Sequence, residues 1–225
     1  QFYDMAGAEV LRGPQGTLSG ANSTGGAVYL TTQRPQLGKL GGNFSANYGN
    51  FDNVGFNGAL NLPVGENFAI RASGLVNNHA PWFKDIGPAK NKPERLDETD
   101  GRIQALLQLG GFSANLKVEF VRRQQGGYAV QPINTTAANN PYVAGRTNLP
   151  WTVSFDSPVA NHERAFATVL EMKYAFDSGL TLRSVSAYQN KRLSTLNESD
   201  ATSLNRNNSA LNQAAGANNV RERVY

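Results

Sequence analysis

Little in this 225-residue sequence could carry covalent or metal chemistry. Cysteine is absent, which excludes a thiol nucleophile, a thiolate zinc site and a disulfide framework. Two histidines, His79 and His162, leave little material for an imidazole metal cluster or a His-dependent triad. Each stands alone at the base of a polar segment, which is weak support for an axial haem ligand. The most unusual spacing is glycine-rich: Arg12-Gly13-Pro14-Gln15-Gly16-Thr17-Leu18, followed by Ser23-Thr24-Gly25-Gly26-Ala27-Val28. A phosphate cradle is the chemistry such a run suggests. The Gly-x-x-x-x-Gly-Lys-Ser/Thr string is missing, however, because the stretch has no lysine. Gly13, Gly16, Gly25 and Gly26 are therefore read as backbone geometry, where positive φ or close approach is needed, and not as ligand contacts. The formal charge of +4 is too mild to be a nucleic-acid footprint.

The elements that must position these residues are strands. From Lys39 onward apolar and polar residues alternate with period 2. Phe44, Ala46 and Tyr48 oppose Asn43, Ser45 and Asn47, and Phe56, Leu60 and Leu62 oppose Asn57 and Asn61. Phe68, Ile70 and Val76 oppose Arg71 and Asn77, and Ile103, Ala105, Leu107 and Leu109 oppose Arg102, Gln104 and Gln108. Phe112, Leu116, Val118 and Phe120 alternate with Lys117 and Glu119, and Phe166, Leu170, Met172 and Tyr174 with Glu171 and Lys173. A weaker seventh segment runs from Leu180 to about Gln189 and includes Arg183. Val220 to Tyr225 reads as the start of an eighth.

Connection lengths decide between architectures. Pro63 to Glu66, Gly110-Gly111 and Asp177 to Gly179 are tight turns. Asn78 to Asp100, Arg122 to about His162 and Lys191 to about Asn219 are long polar loops, and Asn50 to Asn53 is a short one. Short turns at one end and long loops at the other are the pattern of an outer-membrane barrel. A soluble antiparallel sandwich also alternates. Against it, aromatics gather near the strand ends (Tyr48, Phe68, Phe112, Phe120, Tyr174, Phe176, Tyr188), as interfacial girdles require. No run of about 18 apolar residues exists, so a transmembrane helix is excluded. A mean hydropathy of −0.43 fits a barrel that hides its lipid face in alternate residues. Seven strands cannot close such a barrel, so the chain is expected to be a fragment.

Residues 8–35 closely resemble the C-terminal end of the plug domain of TonB-dependent outer-membrane receptors. In that family a strand reading Glu-Val-Leu-Arg-Gly-Pro is followed by a glycine-rich turn, then Ser/Ala-Thr-Gly-Gly-Ala-Val/Ile and a threonine-rich exit into the barrel. Here these are Glu9 to Pro14, Ser23 to Val28, Thr31-Thr32 and Arg34-Pro35. The departure is at Ser19-Gly20-Ala21, where the family usually has an aromatic, a glycine and a basic residue. The resemblance implies an all-β fold: a partial antiparallel transmembrane β-barrel, about seven to eight strands of an expected 22, with the end of an N-terminal plug domain. Residues 1–35 would be plug and 36–225 barrel. It also implies active uptake of a scarce nutrient, foremost a ferric siderophore, in the outer membrane of a Gram-negative bacterium. Energy would come through TonB and the inner-membrane energising complex, gripping a segment missing here. Cobalamin, a glycan or a nickel chelate are the alternative cargoes, and a soluble β-sheet lectin or adhesin is the alternative of another class. No enzyme activity, resident cofactor, metal or nucleic-acid partner is expected.

On this reading Glu9 and Arg12 would face the barrel wall and form plug–wall ion pairs. Arg71, Arg102, Lys117, Glu119, Glu171, Lys173 and Arg183 would line the lumen. In the outer loops Trp82, Phe83, Lys84, Tyr128, Tyr142 and Trp151 combine aromatic surface with positive charge. That chemistry suits an iron-bearing anionic chelate.

Overall fold

The structure, a computed structural model, describes residues 2–13, 25–129, 150–197 and 216–224. Twelve strands are found there and no helix: β1 (Met5–Arg12), β2 (Gly26–Thr32), β3 (Gly41–Gly49), β4 (Asn53–Val64), β5 (Phe68–His79), β6 (Lys84–Asp85), β7 (Leu96–Leu109), β8 (Phe112–Gln125), β9 (Thr152–Val153), β10 (Ala160–Ala175), β11 (Thr181–Asn197) and β12 (Gly216–Val224). β1 and β2 form an antiparallel hairpin. Eight strands, in the order β3-β4-β5-β7-β8-β10-β11-β12, form one antiparallel sheet whose chain neighbours are its spatial neighbours. It is an open wall with free edges at β3 and β12. β6 and β9 pair in parallel and join two of the long connections.

Alternation sorts the side chains onto two faces, because successive residues of a strand point to opposite sides. Phe44, Phe56, Leu60, Ile103, Leu116, Phe120 and Phe166 lie on the outer face, with Phe44 80% exposed. Asn61, Ala69, Arg71, Arg102 and Gln104 lie on the inner face, where the segments flanking the hairpin reach Asn61, Arg71, Arg102 and Gln104, and Gln104 is 1% exposed. The apolar parity thus packs against nothing in the described chain. A sandwich would have buried it against a second sheet. Between Phe112 and Phe120 the outward residues of β8 are all apolar. Those eight steps span about 26 Å along the strand.

A cross-strand row of glycines interrupts the outer face. Gly58 stands opposite Gly74, and Gly74 opposite Gly101, with Phe44 and Phe120 at the two ends of the row. The Phe120 ring lies over Gly101, in space that a Cβ would occupy. The row leaves a shallow apolar trough of about 680 Å³ bordered by Phe56, Leu60 and Ile103.

The tight turns fall where the sequence predicts, with Gly65, Gly110 and Gly179 at positive φ of 72°, 55° and 85°. The long loops are shorter than expected, since pairing continues at both of their ends. β7 begins at Leu96, β8 runs to Gln125, β11 runs to Asn197 and β12 begins at Gly216. The apolar pattern ends with the belt, but the hydrogen-bond ladder continues with polar side chains on both faces.

Candidate functional site

The hairpin meets the wall at its open end. Asp4, at a φ of 51° that aspartate tolerates better than most residues, places its carboxylate against Arg71 of β5. Arg71 Nε donates to Asp4 Oδ2 at 2.8 Å and its Nη2 to Oδ1, a bidentate pair. Only 11% of the Arg71 side chain and 3% of the Asp4 side chain are exposed. Arg102 of β7 lies 4.7 Å from the centre of the Tyr3 ring and donates to the Tyr3 carbonyl at 3.4 Å. Gln104 Nε2 donates to the Gln33 carbonyl at 2.6 Å. Asn61 Nδ2 donates to the carbonyls of Gln36 and Lys39, and its Oδ1 accepts from the Gln36 amide. The segment between hairpin and wall is thereby laced to β4, β5 and β7. Burial pushes the Tyr3 phenol up to about 12, against an opposing pull from the Arg102 charge.

Further ion pairs cover the inner face. Arg102 Nε donates to Glu119 Oε1 at 2.5 Å, and Lys117 Nζ lies 3.3 Å from Glu119 Oε2. Arg183 Nε and Arg34 Nη2 reach the two oxygens of Glu171 at 2.8 and 2.6 Å. Towards the long-loop end, Arg123 pairs with Glu98 and lies 3.5 Å from Glu163, which Lys191 approaches at 2.9 Å. Lys173 stands opposite Arg183 in the register, exposed on the same face. The structure brings together Arg71, Arg102, Lys117, Glu119, Glu171 and Arg183 on one face, in pairs that spacing alone did not reveal. Sequence reasoning missed Tyr3, Asp4, Gln33, Asn61, Gln104, Glu98, Arg123, Glu163 and Lys191. The two-residue turn at Gly110-Gly111 could have found one pair, since Arg102 and Glu119 are equidistant from it and must face each other.

Glu9 and Arg12 stand exposed on β1, opposite Tyr29 and Gly26 of β2. Ion pairs from this region to the wall include Asp4 with Arg71 and Arg34 with Glu171. Gly13 and Gly26 have φ of 86° and 140°, and Gly13 N donates to Gly25 O at 3.3 Å. A Cβ on Gly26 would overlap the Leu11 carbonyl oxygen. Gly16 and Tyr142 lie outside the described residues.

The outer connections are tied together by one carboxylate. Asp85 Oδ1 accepts from the amides of Gly87 at 2.9 Å and Phe155 at 3.1 Å, and its Oδ2 accepts from Asn91 N at 2.8 Å. Asn91 adds bonds to Ser157 O and Val159 N. Beneath them Val153, Phe155 and Val159 form a small apolar core with Phe83, Ala89 and Ala129. Trp82 stacks on His79 at 4.9 Å and tilts against Phe51 at 6.4 Å, and Phe83 meets Trp151 at 5.3 Å. His79 Nδ1 lies 2.9 Å from Ala80 O, so this ring is engaged in loop packing. Lys84 opens β6 and is exposed, as are Tyr128 and Trp151. His162 is exposed on the outer face of β10. Among the described residues no group of His, Asp and Glu could hold a metal ion.

No protein-family model matches the sequence, and no curated protein matches it. Solved structures match the fold. The chain is similar to the ferric yersiniabactin uptake receptor FyuA from Yersinia pestis, with a TM-score of 0.70 and 17% identity over 88% of this chain and 30% of that one. It is similar also to the ferric-catecholate import receptor Fiu from E. coli K12, with a TM-score of 0.66 and 16% identity over 84% of this chain and 29% of that one. The chain shares the all-β, antiparallel fold of part of these two structures and spans about three tenths of their length.

Proposed function

We propose that this chain belongs to a TonB-dependent receptor of the Gram-negative outer membrane that imports a ferric siderophore. One observation carries the reading: a hairpin is held by ion pairs and side-chain hydrogen bonds to the polar inner face of an antiparallel wall whose outer face is an unpartnered apolar belt. That is the arrangement of a plug inside a membrane barrel, with residues 1–35 as plug and 36–225 as wall. The fold shared with two siderophore receptors supports it. Lipid covers the belt, and TonB with its inner-membrane complex supplies the energy for transport.

In this reading the inner-face charges have two tasks. Arg71 and Arg102 anchor the plug strap, while Lys117, Glu119, Glu171, Lys173 and Arg183 keep the lumen wet. At the long-loop end Trp82, Phe83, Lys84, Tyr128 and Trp151 offer aromatic and cationic contact to a bulky anionic chelate. Glu9 and Arg12 remain proposed as plug charges in a plug–wall ion-pair network that is broken or reset during transport. Gly13, Gly25 and Gly26 hold the backbone.

Growth of a deletion strain on single iron sources tests this. Loss of growth and of cell-bound radioactive iron with one ferric chelate, restored by the gene, is the expected result. Unchanged growth on every ferric chelate, with a defect on cobalamin, a glycan or a nickel chelate, would refute iron as cargo. A protein that fractionates as soluble would refute the receptor.

A further inference from the structure

Ion pairing differs sharply between the two faces of the wall. The inward arginines Arg71, Arg102, Arg123 and Arg183 each have a carboxylate partner. On the outer face Arg122 of β8 stands opposite Arg164 of β10, and Arg164 opposite Arg192 of β11. The register continues the row to position 221 of β12, also an arginine. Arg122, Arg164 and Arg192 are all exposed. Like charges directly opposite on a sheet are destabilising, so a folding role does not account for the row. No outward position of β8, β10 or β11 carries a carboxylate. The nearest on β7 is Asp97, diagonal to Arg122, and Arg95 lies 3.7 Å from it.

The height of the row identifies what neutralises it. Phe120 and Phe166 face each other one outward step nearer the belt, and Phe120 closes one end of the glycine trough. Two residues of rise, at barrel tilt, put the guanidinium groups about 5 Å above these aromatics. That is the level of lipid headgroups, at the end of the wall that carries the long loops. Adjacent strands are about 4.8 Å apart, so the three described arginines span about 10 Å. One phosphate engages one or two guanidinium groups through bidentate hydrogen bonds, and the row is long enough for two. A recess of about 320 Å³ opens beside it, lined by Arg164, Arg192, Gln124 and His162 and also by the inward pair Arg123 and Glu163.

We propose that the outer-face row of Arg122, Arg164 and Arg192 is a docking site for a lipid of the outer leaflet that carries more than one phosphate, with its acyl chains descending past Phe120 and Phe166. The inference rests on the outer-membrane placement proposed above.

The test uses the intact receptor purified from membranes in detergent, with bis-phosphorylated lipid A, dephosphorylated lipid A, phosphatidylglycerol and inorganic phosphate as probes. Bound lipid is counted by native mass spectrometry. Wild-type receptor is expected to retain bis-phosphorylated lipid A at least tenfold better than the other two lipids, with inorganic phosphate failing to displace it. R122Q/R164Q/R192Q should lose that preference, and the corresponding triple lysine variant should keep most of it. Arg164→Gln alone, expected to weaken retention several-fold, serves if the triple variant does not insert. Equal retention by wild type and glutamine variants overturns the site, as does equal retention of phosphatidylglycerol or an arginine-dependent dimer in lipid-free detergent. Fractionation of the protein as soluble overturns the receptor reading. Membrane insertion with unchanged lipid retention overturns the docking site alone.

Discussion

Replacing Arg71 with methionine leaves the Asp4 carboxylate without its partner, in a place where only 3% of its side chain meets solvent. Removing one member of a buried pair costs about 3–5 kcal/mol, because the remaining charge is uncompensated. The loss should fall on attachment of the hairpin strap and leave the wall intact, since Arg71 sits on a ladder held on both sides by β4 and β7. The reporter is the Gln33 amide, which donates to the Asp4 carbonyl at 3.0 Å. A loss of about 3 kcal/mol raises its hydrogen-exchange rate about a hundredfold relative to wall amides. Combining Asp4→Leu with Arg71→Met removes both charges, so most of the loss should return. The double-mutant cycle should show a coupling of about 2–3 kcal/mol. Single changes that add within about 0.5 kcal/mol, or that speed exchange equally in hairpin and wall, would refute the strap.

Three other outcomes are expected. Asp85→Ala strands three amides, each worth about 1–3 kcal/mol when left unpaired; proteolysis should open the loops around residues 87–91 and 155–159 while thermal unfolding of the wall stays unchanged. Gly26→Ala places a Cβ on the Leu11 carbonyl at a φ of 140°, so hairpin amides should lose protection by about 2 kcal/mol or more, which exchange would detect. The Tyr3 phenol has its folded pKa raised from 10.0 to about 12. The stability it contributes is therefore present below pH 10 and lost as pH climbs towards 12. Ultraviolet absorbance of the folded protein should show one tyrosine fewer ionising near pH 10 to 11 than the unfolded wild type does, and Tyr3→Phe should leave the folded count in that range unchanged.

The belt is legible in the sequence because contact with an apolar environment is written residue by residue, in strict alternation. Parity alone assigns Phe44, Ile103 and Phe120 to the outer face. Strand ends are not legible for the same reason. Beyond Thr99 and Phe120 both faces meet polar surroundings, so a paired strand such as Arg122–Gln125 reads like a loop. That hides the setting of the arginine row, since Arg122 and Arg192 then fall in loops. Partnerships across sheets are equally hidden. Glu9 and Arg12 draw attention by lying in a dense motif, whereas the described strap pair joins Asp4 to a residue 67 positions away. Only the register supplied by folding brings those two together. The faces of the inward charges are readable from alternation, and their partners are not.

Under the proposed import function, the parallel pairing of β6 with β9, locked by Asp85, has a consequence for how the cargo could change. Two segments about seventy positions apart share a single apolar core and a single capping carboxylate. Recombination that imported a new version of one would leave the other with bare amides and an unfilled core. The two are inheritable as one cassette. Under that proposed function, new specificity at this end of the wall would arise through substitutions on the cassette's exposed rim, or through replacement of both halves together.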